Sequence, residues 1–220
     1  MNVEELCSNQ YQFITRNHKN RVKKLNKKIF FILGTARTRS SWFGNFFTYK
    51  DSFCYNEESR YLDSWDDLID RIEERSEEYV GFEDPELLHY IKYLYELFPK
   101  ATYVLLERDK KESMNSLRNH TGQSEDDPLL NEKFDRWYRD IDNFKNILPD
   151  YQTIHFNDVD DIDEIKRIWN YILPGIHFDI GRWNLLTGLK VSITLGDKPK
   201  LISPYCMAPY YDMDKLRLIS

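Results

Sequence analysis

Apolar residues along this chain fall into short dense runs separated by longer amphipathic stretches. Ile29-Phe30-Phe31-Ile32-Leu33 is continuous and closes on Gly34. That is the pattern of a strand covered on both faces, and it predicts a first strand over 28–34. Shorter runs predict strands near 52–55, 80–82, 102–106 and 153–156. Between them the spacing becomes helical. Over 62–78, Leu62, Trp65, Leu68, Ile69 and Ile72 share one face, with Glu and Arg elsewhere. Pro85 opens a second such pattern, with Leu87, Ile91, Leu94 and Phe98 as its stripe, and Pro99 closes it. Helices are also predicted over 111–119, 129–148, 162–172 and 180–186, and a late edge strand over 190–195. Strands alternating with helices predict an α/β fold, a three-layer arrangement with a central, mostly parallel sheet flanked by helices. No repeat, low-complexity segment or long linker interrupts the series. The 220 residues read as one domain, with 1–27 as an N-terminal helical arm and 196–220 as an irregular tail.

In open sheets of this kind, ligands gather at the carboxyl ends of the strands. The first strand runs into Gly34-Thr35-Ala36-Arg37-Thr38-Arg39-Ser40-Ser41-Trp42 and then a helix. A glycine permits the tight exit. The helix N-terminus offers N–H groups and positive dipole to an anion, and Ser40 and Ser41 are placed to cap it and to touch phosphate oxygens. A nucleotide-hydrolase loop ends in Gly-Lys-Ser/Thr. Here Arg39, Ser40 and Ser41 hold those places, so the lysine is absent, and the basic residue Arg37 sits mid-loop. After the strand at 102–106 comes Arg108, with Ser116 eight residues further along the next helix. A guanidinium fork and a hydroxyl suit phosphate oxygens, although taken singly the two also suit a surface ion pair and an ordinary helix position. Glu57 and Glu58 follow the second strand, where a carboxylate could accept a proton.

The loop resembles the first nucleotide-binding motif of sulfotransferases, Gly-Thr-Pro-Arg/Lys-Ser-Gly-Thr-Thr-Trp-Leu. Gly34, Thr35, Arg37, Ser40, Ser41 and Trp42 match it, while Ala36 and Arg39 replace its proline and glycine. The resemblance implies a P-loop-like fold and an enzyme that moves a sulfuryl group from PAPS (3'-phosphoadenosine 5'-phosphosulfate) to a hydroxyl, releasing PAP. It implies that Gly34, Thr35, Arg37, Thr38, Arg39, Ser40, Ser41 and Trp42 surround the nucleotide and that Arg108 and Ser116 take its 3'-phosphate. Tyr55-Asn56-Glu57-Glu58-Ser59-Arg60 resembles the Cys-Gly-Glu-Glu-Thr-Arg segment of tyrosylprotein sulfotransferases, whose first glutamate is the general base. That implies Arg37 and Glu57 as the catalytic pair, with Glu58 the substitute base. Phe82-Glu83-Asp84-Pro85 and Phe98-Pro99 follow a related pattern in which the family has Lys-Asp-Pro. Glu83 replaces that lysine. Either Arg39 compensates, or Glu83 turns to the acceptor, or the protein binds nucleotide without transferring sulfate. A kinase-like P-loop protein is the remaining reading. The motifs cover 28–119, and 151–172 follows the family only as a strand and a helix.

Composition narrows the context. With 31% charged residues and 41% hydrophobic ones, the chain has a globular profile. A net charge of −6 disfavours nucleic acid as a partner, and the basic stretch from Arg16 to Lys28 reads as a solvated face. The longest apolar run is too short to span a membrane. Three scattered cysteines, Cys7, Cys54 and Cys206, form neither a disulfide framework nor a zinc pattern, so a reducing cytoplasm is the expected setting. The five histidines show no ligand spacing, and the chemistry outlined requires no metal. The class of the hydroxyl acceptor and the oligomeric state are not written in the sequence. Ser124-Glu125-Asp126-Asp127 and the C-terminal half are expected on the acceptor side.

Overall fold

The computed structural model describes residues 13–121 and 127–188. The late strand over 190–195, the tail over 196–220, Cys7, Cys206 and most of the acidic loop at 124–127 lie outside them. Asp127 is described. Its carboxylate accepts from the Leu129 and Leu130 N–H groups, and it caps the helix that Pro128 opens.

Five strands form one parallel sheet: β1 (Lys28–Gly34), β2 (Ser52–Asn56), β3 (Tyr79–Glu83), β4 (Thr102–Glu107) and β5 (Gln152–His155). Their order is β2-β3-β1-β4-β5, so β1 is central. The helices are α1 (Arg16–Lys24), α2 (Ser40–Phe47), α3 (Trp65–Glu73), α4 (Ile91–Leu97), α5 (Lys110–Thr121), α6 (Pro128–Ile147), α7 (Ile162–Ile172) and α8 (Ile180–Gly188). Alternation along each strand sorts side chains into two cores. Phe31, Leu33, Val80, Phe82, Tyr103 and Leu105 face α3, α4 and α6. Phe30, Ile32, Cys54, Val104 and Leu106 face α2, α7 and α8. Both faces are therefore covered, which is why the strands read as unbroken apolar runs. Gly81 opposes Phe30 across β3 and β1; a Cβ there would lie 2.0 Å from the Phe30 ring. Trp65, Trp137 and Trp169 are fully buried, as their apolar settings predict, and Trp183 is partly buried.

The predicted helix over 62–78 is shorter. Ser64 accepts from the Asp67 N–H and starts α3 late, and Lys27 donates to the carbonyls of Arg75 (2.9 Å) and Glu77 (2.7 Å) just past its end. Pro85 is followed by a 3-10 turn over Glu86–Tyr90 and only then by α4. The adjacent Leu87 and Leu88 are both buried there. Two more 3-10 turns, over Glu58–Tyr61 and Phe156–Asp160, stand where no periodicity announced them.

The basic arm is held by this chain itself. Arg21 pairs with Asp66 (2.9 Å), Asp70 and Glu73 (2.7 Å) of α3, and Lys19 pairs with Glu96 (2.7 Å) of α4. These acidic neighbours raise the Arg21 pKa. Arg21 and Lys19 of that basic stretch are thus matched by acidic residues of α3 and α4.

Candidate functional site

The parallel register brings five strand ends to one rim. Gly34 pairs with Leu106, Asn56 and Ile32 both pair with Glu83, and Glu107 pairs with His155. The segments that follow β1, β2, β3, β4 and β5 therefore emerge side by side. They carry Thr35 to Arg39, Glu57, Asp84, Arg108 and Phe156.

The loop after β1 is tight. A Cβ on Gly34 would lie 2.8 Å from both Leu106 Cβ and Leu106 O, so glycine lets the loop cross directly over β4. Arg37 (φ 68°) and Arg39 (φ 64°) are left-handed, and Thr38 between them is not. Alternation of this kind turns successive N–H groups toward one side and makes an anion-binding concavity. Ser40 and Ser41 do not cap the helix as expected. They are its first two residues, and Arg39 occupies the cap position without a side-chain bond to it. The first-turn N–H groups of α2 thus keep their affinity for an anion. Thr38 turns inward, donating from its hydroxyl to the Thr35 carbonyl at 2.7 Å, and Thr35 is buried too. These threonines shape the loop rather than line it. Trp42 is in the core, its ring 4.5 Å from Phe46 and stacked on it.

Arg37, Arg108 and Ser116 come together. Arg108 Nη1 donates to the Arg37 carbonyl at 2.7 Å, and Arg37 Nε donates to Ser116 Oγ at 3.3 Å. The Arg108 guanidinium lies over the Phe156 ring at 3.7 Å, and its buried Nε has no hydrogen-bond partner among the described residues. Most of its five donors remain available to an anion. Arg39 points elsewhere. Both of its terminal nitrogens bind Asp160, at 2.7 and 3.1 Å, and its guanidinium stacks over Phe156 at 4.8 Å. Arg39 holds the Asp160 carboxyl below its usual range and ties the loop to the segment after β5. Its charge is answered by Asp160 rather than by Glu83.

The two glutamates after β2 part company. Glu58 is buried and pairs with Arg71 at 3.0 Å, and burial raises its pKa. Glu57 (φ 52°) is half-buried on the rim, and its N–H donates to the Glu83 carbonyl at 2.8 Å. Glu83 is fully buried. One carboxyl oxygen accepts from Asn56 Nδ2, and the other has no partner among the described residues. Burial, with Asp84 and Glu57 nearby, pushes its pKa well up. A neutral Glu83 does not repel an anion as a carboxylate would. Next to it, Asp84 accepts from Ser59 N (2.7 Å), Ser59 Oγ (2.9 Å) and Glu86 N (2.9 Å), yet burial still lifts it to about 6. Among the described residues no group of three or more His, Cys, Asp or Glu is arranged to hold a metal ion, and no helix is long and apolar enough to cross a membrane.

Two contributors escaped the sequence reading. Phe156 follows the last strand but sits in no motif. Arg182 of α8 is buried at the far end of α2, where it donates to the carbonyls of Asn45, Phe46 (3.1 Å) and Thr48 (2.6 Å). It satisfies the last carbonyls of the loop helix and complements that helix's negative end. Burial lowers its pKa to about 10, so it stays charged. Arg182→Met strips those carbonyls of their donor. It is expected to cost about 2 kcal/mol, read as a lower urea midpoint at unchanged slope.

Comparison with known proteins agrees with this geometry. A family model described as the sulfotransferase family matches residues 17–160. The crystal structure of a sulfotransferase from Alicyclobacillus acidocaldarius resembles this chain with a TM-score of 0.51 and 13% identity, over 74% of this chain and 91% of that one. A sulfotransferase domain from the curacin biosynthetic pathway matches with a TM-score of 0.48 and 15% identity, over 84% and 83% of the two chains. A search of curated proteins finds no match. The first likeness concerns the fold. The family match covers most of the chain, from α1 through the loop, Glu57, Arg108 and Ser116 to Asp160, and on that match the chain belongs to the sulfotransferase family.

Proposed function

We propose that this protein transfers a sulfuryl group from PAPS to a hydroxyl-bearing acceptor by in-line displacement. The observation that carries the reading is the convergence of Arg37, Arg108 and Ser116 beside the N-terminus of α2. PAPS supplies an activated sulfuryl group on its 5'-phosphate. The loop N–H groups with Ser40 and Ser41 hold the phosphosulfate, and Arg108 with Ser116 hold the 3'-phosphate. Such a donor set fits a bisphosphorylated nucleotide, since Arg108 is aimed by its neighbours and still has donors to give. Glu57 takes the acceptor proton as the acceptor oxygen bonds to sulfur. The sulfur–oxygen bond to the 5'-phosphate breaks, and its electron pair leaves with PAP. Arg37 stabilises the charge that gathers on that bridging oxygen. No role in this scheme needs a metal ion.

Thermal melting tests the donor. PAP or PAPS at a hundred times its dissociation constant is expected to add about 2.7 kcal/mol of stability. Stabilisation by ATP with Mg²⁺ alone would end the reading in favour of a kinase-like site. Binding of PAP with no transfer to any phenol, sugar or tyrosine peptide would leave a nucleotide-binding protein without transferase activity.

A further inference from the structure

Arg108 is fixed at both ends. At its backbone, the Tyr138 hydroxyl on α6 donates to the Arg108 carbonyl at 2.5 Å. That bond joins α6 to the end of β4, with Thr35 of the loop and Ser113 of α5 close to the same hydroxyl. At its tip, the guanidinium lies over the Phe156 ring at 3.7 Å while Nη1 reaches the Arg37 carbonyl. Glu112 Oε2 is 3.6 Å from Nε, too far for a hydrogen bond, so it does not replace either hold.

An arginine has four side-chain torsions, and freezing them at the moment of binding costs affinity; a neighbour that freezes them beforehand removes that cost. A stacked aromatic ring fixes the plane of a guanidinium while leaving its in-plane N–H donors open. A hydroxyl bound to the arginine's own carbonyl fixes the backbone from which the side chain starts. Phe156 and Tyr138 do these two things from elements that no phosphate-binding motif includes.

We propose that Tyr138 and Phe156 are positioning residues that preorganise Arg108 for a phosphate on the 3' side of the nucleotide, and so set the protein's preference for 3'-phosphorylated adenosine. The proposal rests on the PAPS reading given above. Both act through Arg108; Phe156 also carries the Arg39 guanidinium, farther away at 4.8 Å against 3.7 Å for Arg108.

The test is calorimetric titration of the full chain with PAP and with 5'-AMP, which differ by the 3'-phosphate. The parent protein is expected to prefer PAP. Tyr138→Phe and Phe156→Leu are each expected to shrink that preference about tenfold while leaving 5'-AMP affinity within about twofold. A loose structural effect would weaken both ligands together and keep their ratio. If either variant keeps the parent's ratio, the proposal is overturned while the PAPS reading stands. If the parent itself does not distinguish PAP from 5'-AMP, the assignment of Arg108 and Ser116 fails, and the proposal with it. Phe156 is only half-buried, so its leucine variant keeps the test available should loss of the Tyr138 hydroxyl prevent folding.

Discussion

Replacing Arg37 with alanine is expected to lower sulfuryl transfer by about 10²- to 10³-fold while PAP still binds. The magnitude is that of removing one preorganised donor aimed at developing charge, about 3–4 kcal/mol. The split between rate and binding comes from how the loop is built. Arg108 touches Arg37 through the Arg37 carbonyl, not its side chain. Alanine keeps that carbonyl, so the Arg108 end of the site keeps its anchor. Ser116 loses the Arg37 Nε donor, but its hydroxyl rotates freely to serve a phosphate oxygen. The backbone at 37 is left-handed in the parent, and alanine carries the same Cβ strain there. The measurement is release of PAP from PAPS in the presence of phenol, sugar and tyrosine-peptide acceptors, alongside PAP titration. A variant that loses PAP binding in step with its rate would make Arg37 a binding residue and leave the bridging-oxygen role without support. Glu57→Gln is expected to lower the rate as well, because no general base remains to take the acceptor proton.

Stability is expected to fall as pH rises from about 5 to 8, the reverse of ordinary acid denaturation. Four groups set the sign. Glu58, Glu83 and Asp84 are carboxyls that burial raises, and His89, held by Asp140 (2.5 Å) and Glu86 (3.3 Å), is also raised. Each binds a proton more tightly in the folded chain. Their contributions are complete below the unfolded values and are lost as pH climbs through the folded ones. For Asp84, lifted from 3.8 to about 6, that loss is about 3 kcal/mol by pH 7. Glu86 works the other way. Held down to about 2 by His89 and Lys133, it contributes above its unfolded value and loses that contribution as pH falls toward 2. The two trends place the optimum near pH 5. Urea unfolding across pH 4–8 reads the curve. Glu83→Gln keeps the shape without the ionisation, so its curve is expected to be shallower and its midpoint at pH 7.5 no lower than the parent's. A midpoint clearly below the parent's would show that Glu83 is ionised in the folded protein and supported by contacts that an amide cannot accept.

The strands were legible because both sheet faces are covered. An unbroken apolar run such as Ile29 to Leu33 has few alternatives, and β1 spans the expected residues. Capped amphipathic helices were legible for a similar reason: α7 runs over Ile162–Ile172 as its spacing predicts. The 3-10 turns were not, since their hydrogen bonds answer to neighbours such as Asp84 rather than to periodicity. Within the site, residue types and their order told of phosphate. Roles did not follow from type alone. Two serines looked like caps, yet the cap position belongs to Arg39, because a left-handed residue there is what turns the chain into α2. Two adjacent glutamates looked interchangeable, yet Arg71 draws Glu58 inward and leaves Glu57 on the rim.

What the chain determined by itself is therefore local: alternating strand and helix, the glycine exit, a basic loop before a helix, and an arginine and a serine eight residues apart. Tertiary structure decided the rest, because charge and burial depend on neighbours distant in sequence. It matched Arg39 with Asp160, stacked Arg108 on Phe156, and closed α2 with Arg182. It also enclosed Glu83, where desolvation raises the carboxyl's pKa and favours the protonated acid over the charge that the sequence suggests.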